Sequence, residues 1–233
     1  MKRASLNTTY RLVWSEVRGA WVAVSEIERS HGKRGGQRLR RLAEVGLMAG
    51  LLAAGAAPSW AGPLPTGGQV TSGAGVIHQS GPDMTITQSS GKLGIDWASF
   101  SIGQGNSVRF VQPNASSVAV NRVIGSDVSS IQGALKANGQ VFLSNPNGVV
   151  FSPTAQVDVG GLVATTHAIT EKDGKYVLQG RSGAGVVNAG AIRAADGGTV
   201  ALVAARVVNQ GSIEARKGNV LLGAGSKVTL DLG

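Results

Sequence analysis

The chain has 233 residues, enough for one domain of ordinary size, with no cysteine, 35 glycines, 4% aromatic and 15% charged residues. Val, Ala, Leu and Ile dominate the apolar fraction, which favours strands and turns over helices. The missing cysteines exclude disulfides and thiolate chemistry. The formal charge of +9 would suit a nucleic-acid partner, but residues 1–61 hold ten Lys or Arg against four Glu, and residues 62–233 hold twelve against nine acids, scattered singly. Nucleic acid needs clustered cations that neutralise several phosphates together, so none is expected as a partner.

Residues 45–57, VGLMAGLLAAGAA, form an apolar run of 13. It is too short to cross a bilayer as a helix and suits the hydrophobic core of a signal peptide. GKRGGQRLRR, within residues 31–44, supplies a basic n-region ahead of it. Small residues at Ser59 and Ala61 place cleavage between Ala61 and Gly62; a cut after Ala57 would set Pro58 against the scissile bond and ranks second. No other run approaches the ~18 apolar residues of a span, so residues 62–233 are not expected to cross a membrane. Residues 1–30 extend the leader further. Their Tyr10-Arg11-Leu12-Val13-Trp14, Arg18-Gly19 and Val22-Ala23-Val24-Ser25-Glu26 resemble the extended signal-peptide region of large exported proteins of Gram-negative bacteria. That resemblance implies export through the inner-membrane machinery into the periplasm.

From Gly62 on, short β-branched runs alternate with Gly, Asn, Asp and Pro. Met84-Thr85-Ile86-Thr87, Val118-Ala119-Val120-Asn121 and Gln156-Val157-Asp158-Val159 alternate apolar and polar, the pattern of half-buried strands. Residues 129–137 carry the spacing of one helical turn. Further on, Val187-Asn188-Ala189-Gly190-Ala191-Ile192 repeats as Val208-Asn209-Gln210-Gly211-Ser212-Ile213, a shift of 21. Gly197-Gly198-Thr199-Val200-Ala201-Leu202 repeats as Lys217-Gly218-Asn219-Val220-Leu221-Leu222, a shift of 20. A period near 20 made only of strands and turns predicts a β-solenoid, with a β-sandwich of two similar hairpins as the alternative. The length allows at most ~8 coils, a rod of ~40 Å at ~4.8 Å per coil. Residues 62 to about 110 repeat poorly and suit a cap on the first coil. Val228 to Gly233 read as part of another coil and so as the start of a longer exoprotein. Asp173-Gly174, amid the charged stretch from Thr170 to Leu178, predicts a hairpin projecting from the rod.

The mature segments resemble the N-terminal secretion domain of two-partner secretion exoproteins, the filamentous-haemagglutinin type. The resemblance rests on Ile95-Asp96-Trp97-Ala98-Ser99-Phe100-Ser101-Ile102-Gly103 with Val108-Arg109-Phe110, and on Gln112-Pro113-Asn114-Ala115 with Asn121-Arg122-Val123 and Ile131-Gln132-Gly133-Ala134-Leu135. It rests equally on Asn138-Gly139-Gln140-Val141-Phe142-Leu143, Asn145-Pro146-Asn147-Gly148-Val149 and Gly161-Leu162-Val163-Ala164-Thr165-Thr166. Val149 stands where Ile is usual, and a second Asn-Pro-Asn-Leu motif is missing. The resemblance implies a right-handed parallel β-helix. It implies recognition in the periplasm, while extended or partly folded, by an outer-membrane β-barrel with periplasmic peptide-binding modules. It also implies an exoprotein that acts outside, secreted or surface-attached, in adhesion or contact with other cells.

Asn145-Pro146-Asn147-Gly148 is the candidate site. Pro146 fixes φ at the second turn position, Asn147 tolerates bridge or left-handed geometry, and Gly148 closes the turn; the Asn145 side-chain carbonyl can accept from the N–H two residues on. The turn therefore forms locally and either nucleates folding outside the cell or is read directly by the barrel. An enzyme on a β-helix would need converging carboxylates or a metal site. Only Glu171 and Asp173 lie close in sequence, beside Lys172 and Lys175, and His78 and His167 are too few for a metal triad, so no catalytic residue, metal or cofactor is expected. Gly73-Ala74-Gly75 and Gly183-Ala184-Gly185 lack the helix of a phosphate loop. A carbohydrate-binding adhesin module remains the other alternative, with Trp97 as a thin aromatic platform or a core residue. N-terminal sequencing of exported protein is expected to begin at Gly62; a start at Met1 or Pro58 would overturn the leader assignment.

Overall fold

The computed structural model describes residues 10–15, 20–25 and 63–231. The n-region, the apolar core of the leader and the Ala61/Gly62 junction lie outside the described residues. Within the leader, β1 (Tyr10–Ser15) and β2 (Ala20–Ser25) pair antiparallel with Tyr10 opposite Ser25, and belong to a unit of their own.

The second unit starts with β3 (Gln69–Ser72) and β4 (Gly75–Ser80), and six coils follow. The first holds β5 (Asp83–Gln88) and β6 (Lys92–Trp97), the second β7 (Ser107–Val111), β8 (Val118–Val123) and β9 (Ser129–Ile131). The third is β10 (Ala134–Ala137), β11 (Gln140–Ser144) and β12 (Val149–Phe151). The fourth runs through β13 (Gln156–Val159) and β14 (Gly161–Thr165), leaves the stack as β15 (Ala168–Lys172) and β16 (Lys175–Gln179), and returns as β17 (Gly185–Asn188). The fifth is β18 (Ala191–Ala194), β19 (Thr199–Ala204) and β20 (Arg206–Asn209), and the sixth β21 (Ser212–Ala215) and β22 (Asn219–Ala224), before β23 (Lys227–Leu230). Coil strands stack in parallel into three sheets: a first, β5-β7-β10-β13-β18-β21, a second, β6-β8-β11-β14-β19-β22, and a third, β9-β12-β17-β20. β4 and β3 add antiparallel to the first strands of the two long sheets and cap the stack.

Register follows the inward side chains. Met84, Val108, Leu135, Val157, Ile192 and Ile213 line up across the first sheet. Ile95, Asn121, Leu143, Ala164, Leu202 and Leu222 do so across the second. A one-residue slip in the first sheet would turn its inward column to solvent, so alternation fixes the pairing there; β11, β14 and β19 of the second sheet are apolar on both faces. Both sequence repeats pair as their shifts require: Val187 meets Val208, Ile192 meets Ile213, and Thr199 meets Asn219. The corner between the long sheets is a column of glycines. A Cβ on Gly160 would lie 2.7 Å from the Gly139 carbonyl oxygen, and those on Gly198 and Gly218 would collide with the carbonyl of the glycine one coil below. Only glycine lets backbones approach this closely, and that absorbs part of the high glycine content.

Three expectations are corrected. Residues 129–137 form no helical turn: Ile131 and Leu135, both fully buried, mimic helical spacing because one ends β9 and the other sits in β10, with Gly133 at the corner between them. The cap is shorter than residues 62 to about 110: residues 63–80 make it and the first coil starts at Asp83, and the six coils lie within the bound of ~8 although the fourth spends residues on its hairpin. Ala164 and Leu202, neighbours in adjacent coils, are 38 residues apart, against 20 for Leu202 and Leu222. The hairpin forms on a two-residue turn, Asp173 (φ 53) and Gly174 (φ 74), but it does not project into solvent. It folds back over the outer face of the second sheet, where Tyr176 and Leu178 pack with Phe142, Val163, Ala201 and Val203. β23 then joins it antiparallel, Leu230 opposite Tyr176. The apolar outer column of β11, β14 and β19 leaves the hairpin a better place to lie than water. Leu178, fully buried, is expected to cost about 2–5 kcal/mol as Leu178→Ala in urea denaturation; hydrogen exchange should quicken first over residues 168–179 and 227–230, with the coil strands following only at global unfolding.

Candidate functional site

The Asn145–Gly148 turn is the corner between β11 of the second sheet and β12 of the third. The Gly148 N–H donates to the Asn145 carbonyl at 3.0 Å, closing the turn, and the Asn147 N–H donates to Asn145 Oδ1 at 2.9 Å. That second bond is the local contact the sequence predicts for Asn145. The left-handed residue is Gly148, with φ +120, whereas Asn147 keeps a negative φ. A side chain at Gly148 would be strained there, and its Cβ would press on the Gly185 carbonyl oxygen at 3.3 Å.

The other bonds of the turn leave its own coil. Asn145, fully buried, donates through Nδ2 to the Asp127 carbonyl and Ser129 Oγ, both at 2.9 Å, and its own N–H reaches the Thr165 carbonyl. Asn147 Nδ2 donates to the Gly125 carbonyl at 2.8 Å and to Asn145 Oδ1 at 3.2 Å. Ser182 Oγ donates to the Pro146 carbonyl at 2.6 Å. The four residues therefore tie the second coil, through Gly125, Asp127 and Ser129, to the fourth, through Thr165 and Ser182. Pro146 is exposed and Asn147 half-buried, so a partner meeting the folded turn would find little beyond the Pro146 ring and one amide edge.

Sequence reasoning missed three related features. Gln112, in the segment Gln112-Pro113-Asn114-Ala115, is a buried corner post: its Nε2 donates to Gln88 Oε1 at 3.1 Å and to the Ser117 and Gln140 carbonyls, and its Oε1 accepts from the Gly139 N–H at 3.0 Å. Asn121 accepts from Trp97 Nε1 at 3.0 Å and donates to the Phe142 carbonyl, which settles Trp97 as a core residue. Asn188, fully buried, donates to Asn209 Oδ1 at 2.8 Å one coil on. A polar residue in step with inward apolar positions, as Asn121 between Ala119 and Val123 and Asn188 after Val186, was the signal available.

The remaining candidates are dispersed. His78 lies exposed on β4. His167 is buried, with Nε2 2.5 Å from the Gly225 carbonyl oxygen, and so joins the hairpin base to the loop before β23. Glu171 pairs with Lys92 at 2.5 Å, and that hydrogen bond raises the Lys92 ammonium above its ordinary range. Burial pushes the Tyr176 phenol up. On the outer face of the first sheet, hydrogen bonds from Arg216 and then Arg193 hold Glu214 below the usual carboxylate range. Two adjoining shallow grooves of about 420 and 480 Å³ run along that face, sharing Lys136 and Asp158. Their strands carry Arg109, Lys136, Asp158, Arg193 and Glu214 in register, a row of charges with no nucleophile and base set together. Among the described residues, no three His, Asp or Glu are grouped as a metal would need.

A family model for the TPS secretion domain matches residues 61–232, and one for the extended signal peptide of the type V secretion system matches residues 7–57. A heme/hemopexin-binding protein of Haemophilus influenzae (strain ATCC 51907 / DSM 11121 / KW20 / Rd) is 41% identical over 186 residues, covering 72% of this chain and 20% of that protein. A second heme/hemopexin-binding protein of Haemophilus influenzae is 51% identical over 102 residues, covering 42% and 11%. The chain thus spans a fifth or less of the curated relatives it matches. The crystal structure of the HMW1 secretion domain from Haemophilus influenzae superposes with a TM-score of 0.67 at 33% identity, covering 71% of this chain and 46% of that one. The filamentous hemagglutinin secretion domain shares the fold, with a TM-score of 0.53 at 16% identity over 71% and 64%.

The geometry separates the two asparagines of the turn. Asn145→Ala strips partners from buried groups and is expected to cost about 1–3 kcal/mol for each one left unpaired, whereas Asn147→Ala should cost only about 0.5–1.5 kcal/mol per lost bond. Urea denaturation of the single variants should give that order; equal losses would contradict the buried, multiply bonded position of Asn145.

Proposed function

The chain belongs to the TPS secretion domain family, and on that premise we propose that its Asn145–Gly148 turn is a folding device that stacks one coil upon the last as the chain emerges outside the cell. The domain itself directs export through the periplasm and secretion by a partner transporter, the role of its family. The observation that carries the reading of the turn is the direction of its bonds. Both side-chain amides donate to carbonyls of residues 125–127, about 20 positions earlier in the chain. A segment arriving in order from the N-terminus finds those acceptors already in place, and the local bonds have pre-shaped it to meet them. Nearest-neighbour stacking of this kind lets a solenoid grow from one end.

In this reading the partner is an outer-membrane β-barrel whose periplasmic peptide-binding modules hold the chain extended, delivered there by the inner-membrane export machinery after cleavage between Ala61 and Gly62. The domain opens a longer exoprotein, and the activity of that exoprotein lies beyond this chain. The name heme/hemopexin-binding protein belongs to relatives matched over a fifth or less of their length. The reading as a carbohydrate-binding module is the weaker one. Sugar rings stack on exposed aromatic faces, and every aromatic residue from 63 to 231 is buried: Trp97, Phe100, Phe110, Phe142, Phe151 and Tyr176. A catalytic role has no support from the family, which is one of secretion domains.

Asn147→Ala, the variant with the smaller stability loss, is expected to reduce secretion by the cognate transporter severalfold while its denaturation midpoint moves little. Normal secretion of Asn147→Ala would leave the turn as a corner only; a secretion loss that merely tracks stability would do the same.

A further inference from the structure

The mature sequence contains two Asn-Gly steps, Asn138-Gly139 and Asn147-Gly148, and they are the two corners of the third coil, either side of β11. Asn-Gly is the chemically labile dipeptide of polypeptides. The glycine nitrogen attacks the asparagine Cγ, forming the N–Cγ bond of a succinimide, and the Cγ–Nδ2 bond breaks to release ammonia. Water then opens the ring at either carbonyl, leaving aspartate or isoaspartate. The reaction needs no oxidant and no enzyme, only a free glycine N–H and a side chain free to swing onto it.

Both conditions are withdrawn at both corners. At the first, the Gly139 N–H is donated to Gln112 Oε1 at 3.0 Å, while Asn138 Nδ2 donates to the Gln112 carbonyl at 2.7 Å and Asn138 Oδ1 accepts from the Gln112 N–H at 2.8 Å. At the second, the Gly148 N–H is donated to the Asn145 carbonyl at 3.0 Å and Asn147 Nδ2 to the Gly125 carbonyl at 2.8 Å. The dipeptides are also compelled. A Cβ on Gly139 would meet Gln112 Oε1 and the Ser117 carbonyl oxygen at 2.8 Å, and Gly148 sits at φ +120. Each asparagine, in turn, supplies bonds that the corner uses.

We propose that Asn138-Gly139 and Asn147-Gly148 are fold-gated deamidation sites, inert in the stacked coil and convertible while the chain is unfolded. The Gly148 N–H is held inside the turn, but the other acceptors lie 22–27 residues upstream, so full protection of either site arrives only when the third coil seats on the second. Conversion at position 147 replaces two amide donors by a carboxylate facing the Gly125 carbonyl, and isoaspartate also adds a backbone carbon at the corner. A chain that stays unfolded far longer than export takes is thereby barred from refolding, a chemical route to irreversibility.

The test uses exported protein recovered from secreting cells. One portion is kept native and one in concentrated urea, at one pH and temperature, in water enriched in heavy oxygen, so that every opened succinimide incorporates label. Peptide mass spectrometry is expected to find labelling at positions 138 and 147 slower in the native portion by about tenfold or more, because reaction must await local opening of at least two hydrogen bonds. Refolding yield on removing urea should fall in step with the labelled fraction. Equal labelling rates in the two portions, or a refolding yield indifferent to conversion at both sites, would overturn the proposal. Neither readout depends on the transporter, so failure here is distinct from failure of the secretion reading.

Discussion

Everything in this domain depends on one constraint: each coil must satisfy its backbone donors and acceptors on the coil before and the coil after. Parallel pairing runs through five coil-to-coil steps in each long sheet. It fixes the spacing at about 4.8 Å and leaves no freedom at the corners, where chains turn at that same spacing. The corners must therefore be made of residues with no side chain, as at Gly139, Gly160, Gly198 and Gly218, or of residues whose side chain replaces a missing backbone partner, as at Gln112, Asn145 and Asn188. The bore between the sheets takes Val, Ile, Leu and Ala in columns, with large rings confined mostly to the early coils at Trp97, Phe100, Phe110 and Phe151. Low charge, scarce aromatics and abundant glycine are consequences of that geometry.

What the sequence revealed was local or periodic. The 21- and 20-residue shifts became strand pairs residue for residue, since a repeat in a solenoid is a contact. The Asx bond in the Asn145 turn and the Asp173-Gly174 hairpin turn were legible because each is decided within four residues. Partners chosen by the three-dimensional path stayed hidden. Nothing local marks Gly125 and Asp127 as the acceptors of Asn147 and Asn145, or the outer face of β11, β14 and β19 as the bed for Tyr176 and Leu178. The reading of residues 129–137 as a helical turn failed for a physical reason: two inward residues flanking a tight corner share the four-residue spacing of a helix face. Lys217 is a related case. It holds φ 53 where the preceding coil has Gly197, and the repeat alignment alone put the two in the same place.

The same constraint links the fold to export. In the proposed order of folding, the useful contacts are those made with residues already through. Asn138 to Gln112, Asn147 to Gly125 and Asn145 to Asp127 all have that direction. So has Arg122, whose guanidinium reaches back to Asp96 at 2.7 Å and to Thr71 Oγ1 at 2.7 Å, fastening the second coil to the first and to cap strand β3. The cap removes the one edge that would have no predecessor: β3 and β4 are antiparallel to their neighbours and offer the first coil a partner before any second coil exists.

The hairpin obeys a different order. β15 and β16 can pair as soon as residue 179 is available, yet the third strand of their sheet, β23, comes about 50 residues later. Until then the hairpin has β16 exposed along one edge, although Tyr176 and Leu178 can already rest on Phe142 and Val163 from coils that precede them. Ala201 and Val203, which complete that apolar bed, are contributed by the fifth coil, and His167 at the hairpin base finds its Gly225 partner only after the sixth. In the proposed order each coil closes on its predecessor, while the hairpin sheet is complete only with β23. Its completion requires every coil beneath it to be in register, because Leu230 and Leu178 share a single buried cluster with side chains from β8, β11, β14 and β19. A slip of one residue in any of those strands would displace Val118, Phe142, Val163, Ala201 or Val203 from its place in that bed and offer Leu178 a side chain of another size there. Stacking contacts are therefore local, from one coil to the next, while the hairpin sheet joins the registers of four coils in one cluster.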